Sequence, residues 1–168
     1  MNIAAERLAI TDFTLDMAQA VHLNSLDEDN RRFTPDEVFE TVEEARDTIE
    51  FLMGVYQTGE GPLVHPVVLI DGTCVGYVQA VPLEEGGYEI GYHIGKAYTQ
   101  KGYATEAVKA FLPVVMDQLG ITSISGVCLV ENVASVKVME KAGFVKEFEG
   151  IGRYQGEDRN IVKYVFVL

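Results

Sequence analysis

Apolar positions along the chain fall into two periods, and the switches between them outline the fold. RLAITDF (7–13) alternates and predicts a first strand, followed by a helix that starts at Thr14 or Asp16 and runs to about Asn24. Asp27–Glu44 is acidic, contains Pro35 and has few periodic apolar positions, so its first part reads as a mobile loop. Thr41 with Glu44 three residues on has the form of a capping box. Ala45, Ile49, Leu52, Met53 and Tyr56 then follow at helical spacing until GEGP (59–62) stops the helix.

Asp71-Gly72 lies between the β-rich runs VHPVVLI and TCVGYVQAV and predicts a hairpin with φ > 0 at both turn residues. EEGG (84–87) makes the next turn, and YEIGYHI (88–94) reads as a third antiparallel strand. After it Ala104, Ala107, Val108, Phe111, Leu112, Val115 and Leu119 form one apolar stripe of a helix ended by Gly120, with a kink expected at Pro113. TSISGVCLV (122–130) is a strand. A short helix starts at Asn132 or Ser135 and stops at Gly143, and FVKEFEGIGRY and NIVKYVFVL are two closing strands. The order is β-α-α-β-β-β-α-β-α-β-β: an α/β (α+β) fold with one central, mostly antiparallel mixed sheet flanked by helices. At 168 residues, with no Pro/Gly/Ser linker, residues 1–168 read as a single domain.

Composition narrows the function classes. A net charge of −13 repels a phosphate backbone, and no basic patch beyond Arg31-Arg32 offsets it, so nucleic acid is not an expected partner. The same field attracts a cationic acceptor. No apolar run has the length of a membrane span, and Glu6 interrupts the N-terminus early, so neither a membrane anchor nor a signal peptide is expected. Two cysteines, Cys74 and Cys128, suit a reducing cytoplasm better than a disulfide scaffold. No His/Cys/Asp cluster has metal-ligand spacing, and His22 and His65 read as ordinary fold residues.

The candidate chemistry lies between Glu89 and Phe144. QKGYAT (100–105) joins a strand end to a helix N-terminus, where unpaired N–H groups and the positive end of the helix dipole favour an anionic phosphate. Gly102 leaves the backbone bare, Ala104 keeps the surface low, and Lys101 and Thr105 can add a charge and a hydroxyl. The loop is neither a P-loop nor a dinucleotide fingerprint, since GxxxxGK[ST] and GxGxxG are both absent.

Strand 88–94, loop 95–105 and the helix after it resemble the cofactor core of the GNAT acetyltransferase superfamily. ENVASVKVMEKAGF (131–144) resembles that family's second cofactor motif, and ERLAITDFTLDMAQAV resembles the opening of the branch containing ribosomal-protein N-terminal acetyltransferases. The resemblance covers essentially the whole chain. It implies acetyl-CoA as cosubstrate, its pyrophosphate on the backbone of Gln100, Lys101, Gly102, Tyr103, Ala104 and Thr105. It puts the pantetheine arm along the edge of Tyr92, His93 and Ile94, with Asn132 contacting that arm and Ser135 assisting. The implied reaction is direct attack of a primary amine, on a small molecule or a protein N-terminus, on the thioester. Monomers and homodimers both occur in the family.

Two positions depart from the family pattern. Thr99 stands where Arg or Gln is common, and Met139 stands where many members carry a Tyr as general acid. For the base, Glu89 and His93 share one strand face; Glu89 is the first candidate and His93 the second, with Glu131 near the same cleft. Developing oxyanion charge is expected near the N–H of His93 or Ile94. Two other readings stay open: a non-catalytic acyl-CoA-binding regulatory module, favoured by Met139, and a nucleotide-binding protein built on QKGYAT.

Overall fold

A computed structural model describes residues 1–168. Eight strands form one sheet: β1 (Ile3–Ala4), β2 (Leu8–Ile10), β3 (Leu63–Leu69), β4 (Cys74–Pro82), β5 (Tyr88–Ile94), β6 (Ser123–Leu129), β7 (Val145–Tyr154) and β8 (Glu157–Val167). Their spatial order is β1-β2-β3-β4-β5-β6-β8-β7. Every pairing is antiparallel except β5 with β6, which are parallel because a helix crosses over between them. The helices are α1 (Ala18–Asn24), α2 (Glu28–Phe33), α3 (Val42–Thr58), α4 (Tyr103–Leu119) and α5 (Val133–Lys141).

The fold class matches the sequence reading, and two small elements join the expected order. β1 is a two-residue strand paired to β2 through Ile3↔Ile10 and Ala4↔Ala9. The segment read as a mobile loop contains α2 and a 3-10 turn, Pro35–Glu37. Apolar periodicity missed α2 because polar contacts hold it. Asp27 caps it by accepting from the Asn30 N–H at 2.8 Å. The Asn30 side chain is buried and donates to the carbonyls of Ser25 (2.9 Å) and Glu37 (3.3 Å).

The main core lies between the sheet and α4, whose Ala107, Val108, Phe111, Leu112, Val115 and Met116 are buried. A smaller cluster seats α3 through Ala45, Ile49 and Leu52 on Phe13, Val64 and Tyr77. Thr41 caps α3 as expected, its hydroxyl accepting from the Glu44 N–H at 3.1 Å. α4 runs unbroken through Pro113, which sits on the exposed face where the missing N–H leaves no buried carbonyl orphaned. The β3–β4 hairpin is present, but only Gly72 has positive φ. The connection is longer than a two-residue turn, and Asp71 stabilises it by accepting from the Thr73 N–H at 3.0 Å.

Candidate active site

The site begins where β5 and β6 part. Their one registered pair is Glu89↔Ser125, after which the strands diverge. On its other side β5 stays paired with β4 from Tyr88 to Ile94. The Gly95 N–H bonds to the Val75 carbonyl at 2.8 Å, which fixes the phase of that ladder. Odd residues of β5 therefore exchange hydrogen bonds with β4, and even ones turn their N–H and C=O the other way. Tyr92 and Ile94 present backbone groups to the gap; His93 presents its own to β4. The expected three-residue edge thus reduces to two, and of the N–H groups of His93 and Ile94 only that of Ile94 faces the gap.

A cavity of about 1000 Å³ occupies the gap and reaches the α4 N-terminus. There Gly102 is the N-cap residue with φ 82°, and the first intrahelical bond runs from the Glu106 N–H to the Gly102 carbonyl. The N–H groups of Tyr103, Ala104 and Thr105 precede that bond and have no partner within the helix. Gln100 also adopts a left-handed φ, 64°. Left-handed residues on both sides of Lys101 bend the loop into a turn whose amides form a concavity of the kind that suits an anion.

Arg7 braces this loop, a role with no motif to announce it. Its Nε and backbone N–H donate to the two carboxylate oxygens of Glu106 at 2.7 and 2.8 Å, and its Nη1 donates to the Lys101 carbonyl at 2.7 Å. Its guanidinium also stacks 4.8 Å from the Tyr103 ring centroid.

Asn132 caps α5 by accepting from the Ser135 N–H at 3.3 Å, so its side chain serves the helix start. Ser135 faces Tyr92, whose hydroxyl lies 2.7 Å from the Ser135 carbonyl and 2.9 Å from its Oγ. Burial keeps the Tyr92 phenol protonated far above its ordinary range, and pushes the nearby Cys128 thiol up to about 11. Met139 is 1% exposed and packs over Gly126, where a Cβ would fall 2.5 Å from its sulfur.

On the opposite face of β5, Glu89 and His93 differ in how committed they are. Burial pushes the Glu89 carboxyl up to about 7; Glu85 and Glu37 push the same way, while Lys163 opposes them. His93 donates from Nε2 to the Asn24 carbonyl at 2.9 Å, with Asp27 Oδ2 3.6 Å away. That bond fixes the tautomer and ties β5 to the end of α1.

Residues 24–33 continue from this contact across the open end of the gap. Phe33 at the end of α2 accepts from the Tyr154 hydroxyl at 2.9 Å on the β7–β8 hairpin. Arg32 pairs with Glu131 at 2.8 Å, and Glu131 also meets Arg159 at 3.5 Å. Glu131 therefore latches α2 to the far wall. His22 and His65 bond through Nδ1 to the carbonyls of Phe39 and Thr11 at 2.7 and 2.9 Å.

This splayed pair of parallel strands, with a bare helix N-terminus at its mouth, is the architecture of a GNAT acetyltransferase. The acetyltransferase (GNAT) domain family matches residues 7–145, and the chain belongs to that family. A relative from Bacillus subtilis, the uncharacterized N-acetyltransferase YnaD, is 32% identical over 149 residues, spanning 88% of this chain and 84% of that one. A GNAT-family acetyltransferase from Bacillus anthracis superposes with a TM-score of 0.84 at 32% identity, covering 99% of this chain and 98% of that one. The ribosomal L7/L12 alpha-N-protein acetyltransferase RimL, solved with coenzyme A, shares the fold at a TM-score of 0.82 and 18% identity, covering 100% and 98%. The family implies acetyl transfer from acetyl-CoA.

Proposed function

We infer that this protein transfers the acetyl group of acetyl-CoA to a primary amine by direct attack on the thioester. The observation that carries the reading is the continuity of the cavity. It runs from the bare amides of the α4 N-terminus, past the unpaired Tyr92 and Ile94 edge, to Glu89 on β5. A pyrophosphate fits the Gln100–Thr105 backbone, and a pantetheine amide pairs with the strand edge as an added strand would.

Glu89 takes the proton of the attacking ammonium, directly or through water. It suits this role better than His93, whose Nε2–H is committed to Asn24. The Ile94 N–H meets the developing oxyanion. In place of the absent tyrosine at 139, the Ser135 hydroxyl supplies a hydrogen bond to the departing thiolate, since the Tyr92 proton is donated to the Ser135 carbonyl. Coenzyme A sulfur with a pKa of about 8.5 is a tolerable leaving group, so a strong acid is not required.

The test is steady-state thiol release across N-terminal peptides, polyamines, amino acids and aminoglycosides. Acetyl-CoA binding without turnover of any amine favours a non-catalytic acyl-CoA-binding module instead. Calorimetry with ATP and acetyl-CoA side by side separates out a nucleotide-binding role. The same assay reads the Arg7 brace. Arg7→Ala removes the two side-chain hydrogen bonds to Glu106 and to the Lys101 carbonyl and is expected to weaken acetyl-CoA binding about tenfold, a loss of about 1.4 kcal/mol.

A further inference from the structure

Glu37 belongs to no motif, yet the fold holds it directly over β5. The 3-10 turn Pro35–Glu37 brings it to the β5 face that carries Glu89 and His93. One carboxylate oxygen accepts from the Tyr77 hydroxyl, and the other accepts from Gln79 Nε2 at 2.9 Å. Tyr77 and Gln79 stand opposite His93 and Gly91 in the β4–β5 ladder. A Cβ on Gly91 would fall 2.5 Å from Gln79 Nε2, so the amide lies flat across β5 where no side chain intervenes. The carboxylate is thereby fixed near Gly91, between Glu89 and His93 along the strand.

Both donors to Glu37 are neutral. Arg153 and Lys163 line the same cavity, but each is engaged by another carboxylate, Asp158 at 3.4 Å and Glu147 at 3.6 Å. Lys96, Lys137 and Lys141 line the cavity from the end of β5 and from α5, with Asp29 paired to Lys96 and Asp27 beside His93, whereas Asp36, Glu37, Glu85 and Glu89 line it from the 35–37 turn, the β4–β5 turn and the start of β5. Lysines without a close carboxylate, Lys137 and Lys141, thus lie on the α5 side, carboxylates gather toward Glu89, and Glu37 is the oriented one among these.

We propose that Glu37 binds a second cationic group on the acceptor, so that the enzyme prefers diamines and amines flanked by a basic group over simple monoamines. This rests on the amine-acetyltransferase reading. The charge balance during reaction supplies the reason. When the reacting ammonium gives its proton to Glu89, it stops being a counter-ion to anything nearby. The Glu37 carboxylate is half-buried with only neutral donors and gains from a cationic partner throughout. A second ammonium or guanidinium resting on Glu37 supplies that partner before and after the proton moves, whereas a monoamine leaves the carboxylate uncompensated at the moment of attack.

The experiment titrates 1,4-diaminobutane and butylamine against the coenzyme A-loaded protein, with acetylation of both measured in parallel. The wild type is expected to bind the diamine at least tenfold more tightly. Glu37→Gln should reduce that preference to within about threefold, Glu37→Asp should keep part of it, and acetyl-CoA affinity should stay within twofold in both. The proposal is overturned if the wild type binds both amines equally, if the preference survives in Glu37→Gln, or if both variants lose acetyl-CoA binding in step with the diamine. Because preference is read from binding, tight diamine binding without acetylation counts against the transferase reading and leaves this assignment standing.

Discussion

Glu89→Gln is expected to lower kcat/KM at least 100-fold on every amine the protein accepts, while making the folded protein more stable above neutral pH. The first half follows from removing the base, since a positioned general base contributes about 10²–10⁴-fold. The wild-type rate should rise with pH through about 7 as the Glu89 carboxylate forms, and the variant should lose that limb while keeping any rise due to the free amine. The second half follows from linkage. Glu89 titrates at about 7 in the fold against an ordinary 4.5, so the folded state holds its proton more tightly than the unfolded chain does. Its stabilising contribution is fully present below about 4.5 and is lost as pH rises through about 7. A shift of this size corresponds to at most about 3 kcal/mol, reduced by whatever solvent reaches the carboxylate. Glutamine carries no such charge. Thermal melts should show the variant several degrees more stable at pH 8.5, with a smaller gain at pH 5.5 and near equality with wild type only below about pH 4.5. A variant with full activity, or with no pH-dependent gain in stability, removes Glu89 from the base position.

Features encoded by neighbouring residues were legible in the sequence. The Thr41 cap, the Asn132 cap and the α4 stripe each depend on residues three or four apart, and each appears where the pattern puts it. The start of α4 was legible for the same reason, because Gly102 sits at the helix start that its left-handed backbone makes possible. What escaped is held by partners remote in sequence. Arg7 reaches Glu106 across 99 positions, and Glu37 reaches Tyr77 and Gln79 across 40 and 42. α2 has too few apolar residues to register as a helix, because its contacts are hydrogen bonds to buried polar groups. Along β5 the sequence marks which side chains share a face but not which amides face the gap. That depended on the phase of the β4 ladder, and it separated Tyr92 and Ile94 from His93.

The positions that departed from the family pattern also become intelligible in three dimensions. Met139 fills space above Gly126 and beside Ile90, so it serves the core under the splayed strands. A tyrosine hydroxyl still lines the cavity, delivered from β5 by Tyr92 and held by Ser135 of α5. Thr99 turns its hydroxyl back to the Lys96 carbonyl at 2.8 Å and shapes the approach to the loop. The cradle therefore depends on backbone geometry, with Arg7 supplying the external support.

That dependence makes Gly102→Val the second variant with a large expected effect: a loss of acetyl-CoA affinity of about 100-fold, or about 2.7 kcal/mol. Two costs combine. Gly102 has φ 82°, a left-handed conformation that a β-branched residue adopts only with a strain of about 1–2 kcal/mol. Relief of that strain swings the loop and misaligns the Tyr103–Thr105 amides. If the loop holds its shape, the new Cβ lies 3.2 Å from Arg7 Nη2 and its methyl groups project into the space beside the amides. The damage should stay local, because Gly102 only begins α4 and the buried residues that anchor the helix start at Ala107. Calorimetry with acetyl-CoA, alongside a melt and circular dichroism to confirm the fold, gives the answer. A folded Gly102→Val protein with wild-type affinity would falsify the assignment of the cradle to this loop. Gly102→Ala divides the two costs, since it introduces the left-handed strain with only one added carbon. An affinity midway between wild type and Gly102→Val would show that loop geometry and open space both contribute to phosphate binding.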